Sequence, residues 1–266
     1  MKKSSLLFVL FCFASLGFSQ DVACVYKEDR FQAGEVLKYR LYYNWKFVWI
    51  PAGEVRFKVE EDEDDYLIEV VGKTFDSYNS VFEVNDYFFS RIDKATGIPK
   101  NFIRKIHEGS YYKYDSIAFY HNKNIASGWL GKTKETAKAY EEVLSSCAHD
   151  IISILYNVRN LDLEQTERGS VIPFSVFFDR EQFNLKLEIG KKEEKKIKGL
   201  GKRATIKLIP EVVAGEVFDE NSKMNIWVSD DENRIPLLIE SPVSIGSVKA
   251  ILTSATGLKL KKSYVE

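Results

Sequence analysis

The chain has 266 residues, 45% of them hydrophobic and 14% aromatic, which suits one large core or two small ones and excludes a disordered polymer. Its formal net charge of −1 excludes the strongly basic balance of a nucleic-acid-binding domain.

Residues 1–20, MKKSSLLFVLFCFASLGFSQ, place Lys2 and Lys3 ahead of an apolar run from Leu6 to Phe18 and end in Ser19 and Gln20. A basic start, an apolar run too short to span a bilayer well and a small, polar end are the parts of a secretory signal peptide. Cleavage is expected after Gln20, leaving 21–266 as a single β-rich domain. Loss of the two lysines takes the net charge from −1 to −3. No later stretch is long and apolar enough to cross a bilayer. A lipid anchor needs a Cys directly after the apolar run, but Cys12 lies within the run and Cys24 lies past Asp21. The expected destination is the periplasm, with outer-membrane association or secretion as alternatives.

The remaining chain keeps Cys24 and Cys147. In an oxidising compartment such a pair reads as one disulfide, which closes a loop of about 120 residues and stabilises by about 4–5 kcal/mol in the chain-entropy model. The alternative is a reactive thiol. Ser145 or Ser146 reads as a helix N-cap, which would put Cys147 in a first helical turn, where thiol pKa values fall.

From Gly34 to about Tyr120 the apolar period is two. Within it, YYNWKFVWIPAGE carries an unusual density of rings. Leu37, Tyr39, Leu41, Tyr43, Trp45, Phe47 and Trp49 share one parity, and Lys38, Arg40, Tyr42, Asn44 and Lys46 share the other. In a strand that pattern makes one face a ladder of large apolar groups. The early rungs read as core. Tyr43, Trp45, Phe47 and Trp49, near the expected strand end before a Pro51-Ala52-Gly53 turn, are the candidate lining of an apolar ligand site. An exposed rim of Trp would instead touch a partner or a membrane surface.

EVRFKVE and YLIEVVG flank the acidic run EDEDD as a hairpin, and VFEVNDYFFSRID, KNFIRKIHEG and SYYKYDSIAFYHN continue the alternation. Residues 132–144 combine helix-favouring Ala, Lys and Glu with a pattern that also suits a surface strand. In SSCAHDIISILYNVRNL, Ala148, Ile151, Leu155 and Val158 recur at helical spacing, so one main helix is expected over about 147–160. After Gly169 the period returns to two, with turn chemistry at GKKEEKK, AGEVFDEN and SDDEN. The expected architecture is mainly β: a curled or barrel-like antiparallel sheet of about twelve strands enclosing that helix.

The stretch FQAGEVLKYRLYYNWKFVWIPAGEV resembles the opening of an exported bacterial family, domain of unknown function 3108. IPKNFIRKIHEGSYY, HDIISILYNVR, IKGLGKRATIKLIPEVVAGEVF and IWVSDDENRIPLLIESPVSIGSVKAIL fit the same pattern. The NWKFVW form and the FSQ ending resemble members from Bacteroidetes-type bacteria. The resemblance implies a curved or barrel-like antiparallel sheet around a helix, similar in shape to periplasmic lipoprotein carriers. Shape alone carries no activity, and the family has no accepted catalytic residues to transfer.

The chemical signals are sparse. Glu60 to Asp65 is acidic enough for calcium but lacks the glycine and ligand spacing of a calcium loop, so a solvated hairpin tip is expected. Asp230, Asp231 and Glu232 read as a second turn. His107, His121 and His149 form no zinc-type pair, and no metal site or cofactor is expected. GLGKRAT at 199–205 is followed by a strand, not the helix that phosphate cradling needs. Ser145, Ser146, Cys147, His149 and Asp150 bring nucleophile and base types together, which makes a hydrolase the weakest of three readings. The first is a non-enzymatic exported protein that takes an apolar small molecule or lipid. The second is a structural or interaction protein of the envelope, partnered by another envelope protein.

Overall fold

The computed structural model describes residues 30–45, 48–78, 82–145, 147–213, 223–242 and 246–264. The signal-peptide segment and Cys24 lie outside them, so neither the cleavage nor the Cys24–Cys147 bond is addressed by the described residues.

Alternation becomes strand wherever one face can be buried. The first arm holds β1 (Val36–Trp45), β2 (Val48–Asp62), β3 (Asp65–Thr74), β4 (Asn85–Asp93), β5 (Pro99–Glu108), β6 (Tyr111–Tyr120), β7 (Ile125–Gly131) and β8 (Lys138–Val143). After β9 (Ala148–His149) comes α1 (Ser153–Asn160). The second arm then holds β10 (Val171–Phe178), β11 (Glu181–Ile197), β12 (Gly201–Pro210), β13 (Asn225–Ser229), β14 (Pro236–Pro242) and β15 (Ser247–Thr256). Among the described residues all fifteen strands lie in one sheet, in which β1 to β8 run outward in chain order from one side of the β1–β15 pair and β14 back to β9 run outward from the other. Neighbours are antiparallel except for the two-residue β9–β10 pairing. The mainly β, curled antiparallel class read from the sequence holds, and the sheet is unclosed.

The three strands beyond the expected twelve are β7, β8 and β9. Ala126, Ser127 and Gly128 hide the alternation of β7. A Cβ on Gly128 would stand 1.9 Å from the Ser116 carbonyl oxygen, so the close approach of β6 requires glycine there. β8 has helix-favouring composition but sits at a sheet edge, where its charges discourage further pairing.

Side chains, not a ladder, bridge the two arms near the β8 and β9 edges. Arg180 Nη2 lies 2.6 Å from Glu142 Oε1, Lys113 Nζ lies 2.6 Å from Asp179 Oδ1, and Arg104 also reaches Asp179. The helix lies within the curl and touches both arms. Ile152 and Tyr156 bury among Phe31, Val59, Ile68 and Phe102, while Val158 packs with Leu187 and Ile226. The GKKEEKK stretch, read from the sequence as a turn, is instead the far part of β11; the chain turns at 198–200, and the β11–β12 hairpin carries Ile197 and Leu200 onto Trp227, Leu238 and Ile251.

The helix is shorter than the expected 147–160. Cys147 has a φ of +66°, and Ala148 and His149 pair with β10. Asp150 then opens the helix: its Oδ1 accepts the Ile152 N–H at 2.7 Å and the Ser153 N–H at 2.8 Å. Asp150 therefore performs the capping expected of Ser145 or Ser146. Cys147 lies outside the first turn, so the helix-start geometry that would activate its thiol is absent.

Candidate functional site

The aromatic run is not one strand. β1 ends at Trp45 and β2 starts at Val48, so the chain reverses inside the run. Pro51, Ala52 and Gly53, expected as the turn, lie within β2. There Leu41 faces Gly53 and Tyr42 faces Pro51, with Ala52 extra in a bulge. A Cβ on Gly53 would stand 2.3 Å from the Lys73 carbonyl oxygen, so this bulge needs glycine.

The reversal separates the candidate ligand residues. Tyr43 keeps the parity of Tyr39 and is half-buried. Trp49 pairs with Asn44, which puts it on the opposite face, where Lys249 Nζ stands 4.1 Å from its ring centre. Phe47 and the Trp45 side chain lie outside the described residues.

The interior space sits by the early rungs instead. Leu37 and Tyr39 of β1, with Val55 and Phe57 of β2, form one wall of a cavity of about 190 Å³. Ile226, Pro236, Ile239 and Ala250 of β13, β14 and β15 form the second, and Leu155, Tyr156 and Arg159 of α1 close it. The alternation of each strand puts these side chains on the concave face, where the helix cannot fill the span between the two arms. Val55, Phe57, Leu155, Pro236, Ile239 and Ala250 are only partly buried, because the cavity meets solvent along them. Leu155 of the helix and Tyr39 of the aromatic ladder thus border the same cavity.

Among the described residues of this wall Arg159 is the one that carries a charge, and that charge is taken. Nη1 donates to Glu35 Oε1 at 2.6 Å and Nη2 to Glu35 Oε2 at 2.8 Å, a bidentate pair in which both side chains are buried. Nε donates to the Asn233 carbonyl at 3.1 Å and Nη2 to the Arg30 carbonyl at 3.2 Å. Burial works against the arginine charge, and the Glu35 carboxylate with its hydrogen bonds turns the net pKa shift upward. Tyr156 lies beneath the guanidinium, 5.2 Å from ring centre to Cζ, and its hydroxyl is buried with no hydrogen-bond partner among the described residues. Burial holds the Tyr39 and Tyr156 phenols well above their ordinary pKa, so both stay neutral.

The structure does not bring the sequence cluster together: Ser145 pairs with Gln182, Ser146 lies outside the described residues, and His149 and Asp150 take partners from elsewhere. His149 Nδ1 meets Ser153 Oγ at 3.1 Å, and its Nε2 meets Asn157 Nδ2 at 2.6 Å. The Asp150 carboxylate takes its partners away from the His149 ring. Its Oδ2 accepts the Ser90 hydroxyl at 2.6 Å while Oδ1 caps the helix. Burial drives the His149 pKa down to about 3 and the Asp150 pKa up to about 6, with the Ser90 bond pulling the latter back. His149 is 2% exposed and Cys147 4%, so both are nearly enclosed. The acid that would orient the base is spent on backbone N–H groups.

The acidic run forms the β2–β3 tip, and basic side chains answer it. Arg91 Nε and Lys100 Nζ each lie 2.5 Å from Asp65, and Lys94 Nζ lies 2.8 Å from Glu61. Burial alone would raise the Asp65 pKa, but Lys100 and Arg91 bring it below the usual carboxylate range. At the second acidic turn, Asp231 accepts the Tyr264 hydroxyl at 2.8 Å and Lys262 Nζ at 2.7 Å, which ties down the C-terminal segment. Among the described residues no group of three or more His, Cys, Asp or Glu could hold a metal ion. No helix among them is long and apolar enough to cross a membrane.

A search of curated proteins finds no match. Among solved structures the chain is similar to the crystal structure of a beta-barrel-like protein of domain of unknown function DUF1849 from Brucella abortus. The two share 10% identity with a TM-score of 0.57 over 86% of this chain and 98% of that one, a likeness of fold alone. The family model described as protein of unknown function, DUF3108, matches residues 38–253, and with most of its length matched the chain belongs to that family.

Proposed function

We propose that this is an exported, non-enzymatic protein that holds an apolar small molecule, or part of a lipid, in its interior. The observation that carries the reading is the cavity of about 190 Å³ between α1 and the two arms, with walls that are almost wholly apolar. A cavity of roughly 150 Å³ with such walls stays dry and takes benzene, so this space has the size and chemistry for a small apolar guest. It is below the roughly 300–1,000 Å³ of sites that enclose a drug-sized ligand, so a lipid would enter only in part. Native mass spectrometry and solvent extraction of protein purified from the cells that make it test the reading. Co-purifying apolar material is expected. Its absence, together with no binding of a fluorescent fatty acid, would sink the proposal.

The second reading, a scaffold or interaction protein of the envelope, draws support from the β7–β8 edge. Trp129 is 53% exposed and Val143 83% exposed there, beside a strand with one side unpaired. Capture of an envelope protein by that edge in crosslinking, from a protein with an empty interior, would favour it.

Export with cleavage after Gln20, and a Cys24–Cys147 bond in the mature protein, belong to the same proposal. N-terminal sequencing of the periplasmic form and mass mapping of nonreduced peptides check them; an N-terminus at Met1 or two free thiols would refute them.

A further inference from the structure

We propose that the cavity is a ruler for the hydrocarbon end of an amphiphile: it admits a tail of about six or seven carbons and leaves the polar head outside, selecting by length and not by head group. This deepens the reading of the interior as a ligand site and rests on it.

A head group has nothing to bind inside. Four hydrogen bonds to Glu35, Asn233 and Arg30 occupy the Arg159 guanidinium, the one charge among the wall's described residues. An entering carboxylate would have to displace Glu35, which is already buried and bidentate. Tyr156 offers its ring; its hydroxyl oxygen is itself buried, so it adds no donor to the surface a guest touches. Apart from the Tyr39 phenol the remaining wall is hydrocarbon, and almost none of the cavity surface is polar. An amphiphile gains most by burying its tail there and keeping its head hydrated at the partly exposed side, where Pro236, Ile239 and Ala250 meet solvent.

The volume then sets the length. A cavity of roughly 150 Å³ takes the six carbons of benzene, so a space of about 190 Å³ takes about six or seven. Each buried methylene is worth about a fourfold gain in affinity until the cavity is full. Carbons beyond that number stay in water and add nothing.

Isothermal titration of the mature protein with n-alkanols of about four to ten carbons, and with alkanoates of the same lengths, tests the ruler. Affinity should climb about fourfold per carbon to six or seven carbons and then level, with the two series within about threefold of each other. Ala250→Val narrows the space and should move the break about two carbons shorter. A climb that continues unbroken to the longest member, a head-group preference above about tenfold, or a break that Ala250→Val leaves in place would overturn the ruler while leaving a ligand site standing. No binding by any member would remove the ligand reading and the ruler together.

Discussion

Tyr156 separates two packings of one helix against one sheet. Toward Phe31, Tyr66 and Ile92 the leftover space is about 10 Å³, at the lower limit for a single water. Toward Leu37, Tyr39 and Ile239 it is about 190 Å³. The filled side is made of rings that meet edge-on or tilted: Phe31 lies 4.7 Å from Tyr156 and 4.8 Å from Tyr66. The first turn of the helix is tied there through Asp150 and Ser90. On the hollow side the helix presents Arg159 beside Leu155, and Glu35 and two carbonyls hold the guanidinium in place. The guanidinium cannot fall into the space without abandoning four hydrogen bonds. The hollow is thus kept open by a fixed polar clamp, not left by careless packing.

Breaking the clamp should have the largest effect. Glu35→Gln leaves a buried Arg159 with its charge unanswered, and chemical denaturation should show a loss of about 3–5 kcal/mol. A loss below about 1 kcal/mol would mean that the pair does not brace the helix.

Truncation on the two sides of the helix should then differ. Ile152 is buried on the filled side, so Ile152→Ala should cost about 2–5 kcal/mol. Leu155 is half-buried and already borders open space, so Leu155→Ala loses fewer contacts and should cost about 1–2 kcal/mol. Equal losses in urea melts would erase the distinction between the sides.

The tie at the helix start should carry a pH signature. The carboxyl of Asp150 titrates at about 6 in the folded protein against an ordinary 3.8, chiefly because it is buried. Such a group adds stability while protonated, below about pH 3.8, and that stability is lost as pH climbs to about 6. His149 works the other way: held at about 3 by burial, it contributes fully above its ordinary 6.5 and loses that contribution as pH falls. Ser90→Ala removes a hydrogen bond to the ionised Asp150. It should cost about 1.5–3 kcal/mol at pH 7 and clearly less at pH 4, where the carboxyl is protonated. A cost independent of pH would show that Ser90 acts by packing alone.

The smallest expected effect is at Tyr156. Its buried hydroxyl has no partner among the described residues, so Tyr156→Phe should leave the melting temperature unchanged or raise it, with a gain of up to about 1 kcal/mol. A clear loss would reveal a partner for that oxygen.

The class of fold was legible because one face of nearly every strand is buried, and burial writes itself as period two. Turn chemistry was legible at the Glu63-Asp64 tip and at Asp230-Asp231 for the same local reason. β7 escaped because small residues blur alternation. The helix start escaped because Ser145, Ser146, Asp150 and Ser153 are all capping types, and only the fold selects Asp150. The aromatic run read as one ladder because nothing in NWKFVW marks the reversal that sends Trp49 to the opposite face. The clamp was the least legible part. Glu35 and Arg159 are 124 residues apart, and in sequence each is an ordinary surface charge. A cavity is a shortfall of volume among residues from six elements, and no local pattern records a shortfall.

Methyl-resolved NMR of the isoleucine- and leucine-labelled protein, titrated with 1-hexanol, tests the central claim most directly. The account predicts saturable shifts at the methyls of Leu155, Ile226 and Ile239 on the hollow side, with Ile92 and Ile152 on the filled side unmoved. Shifts of equal size on both sides of Tyr156, or none on the hollow side at saturating alcohol, would contradict it.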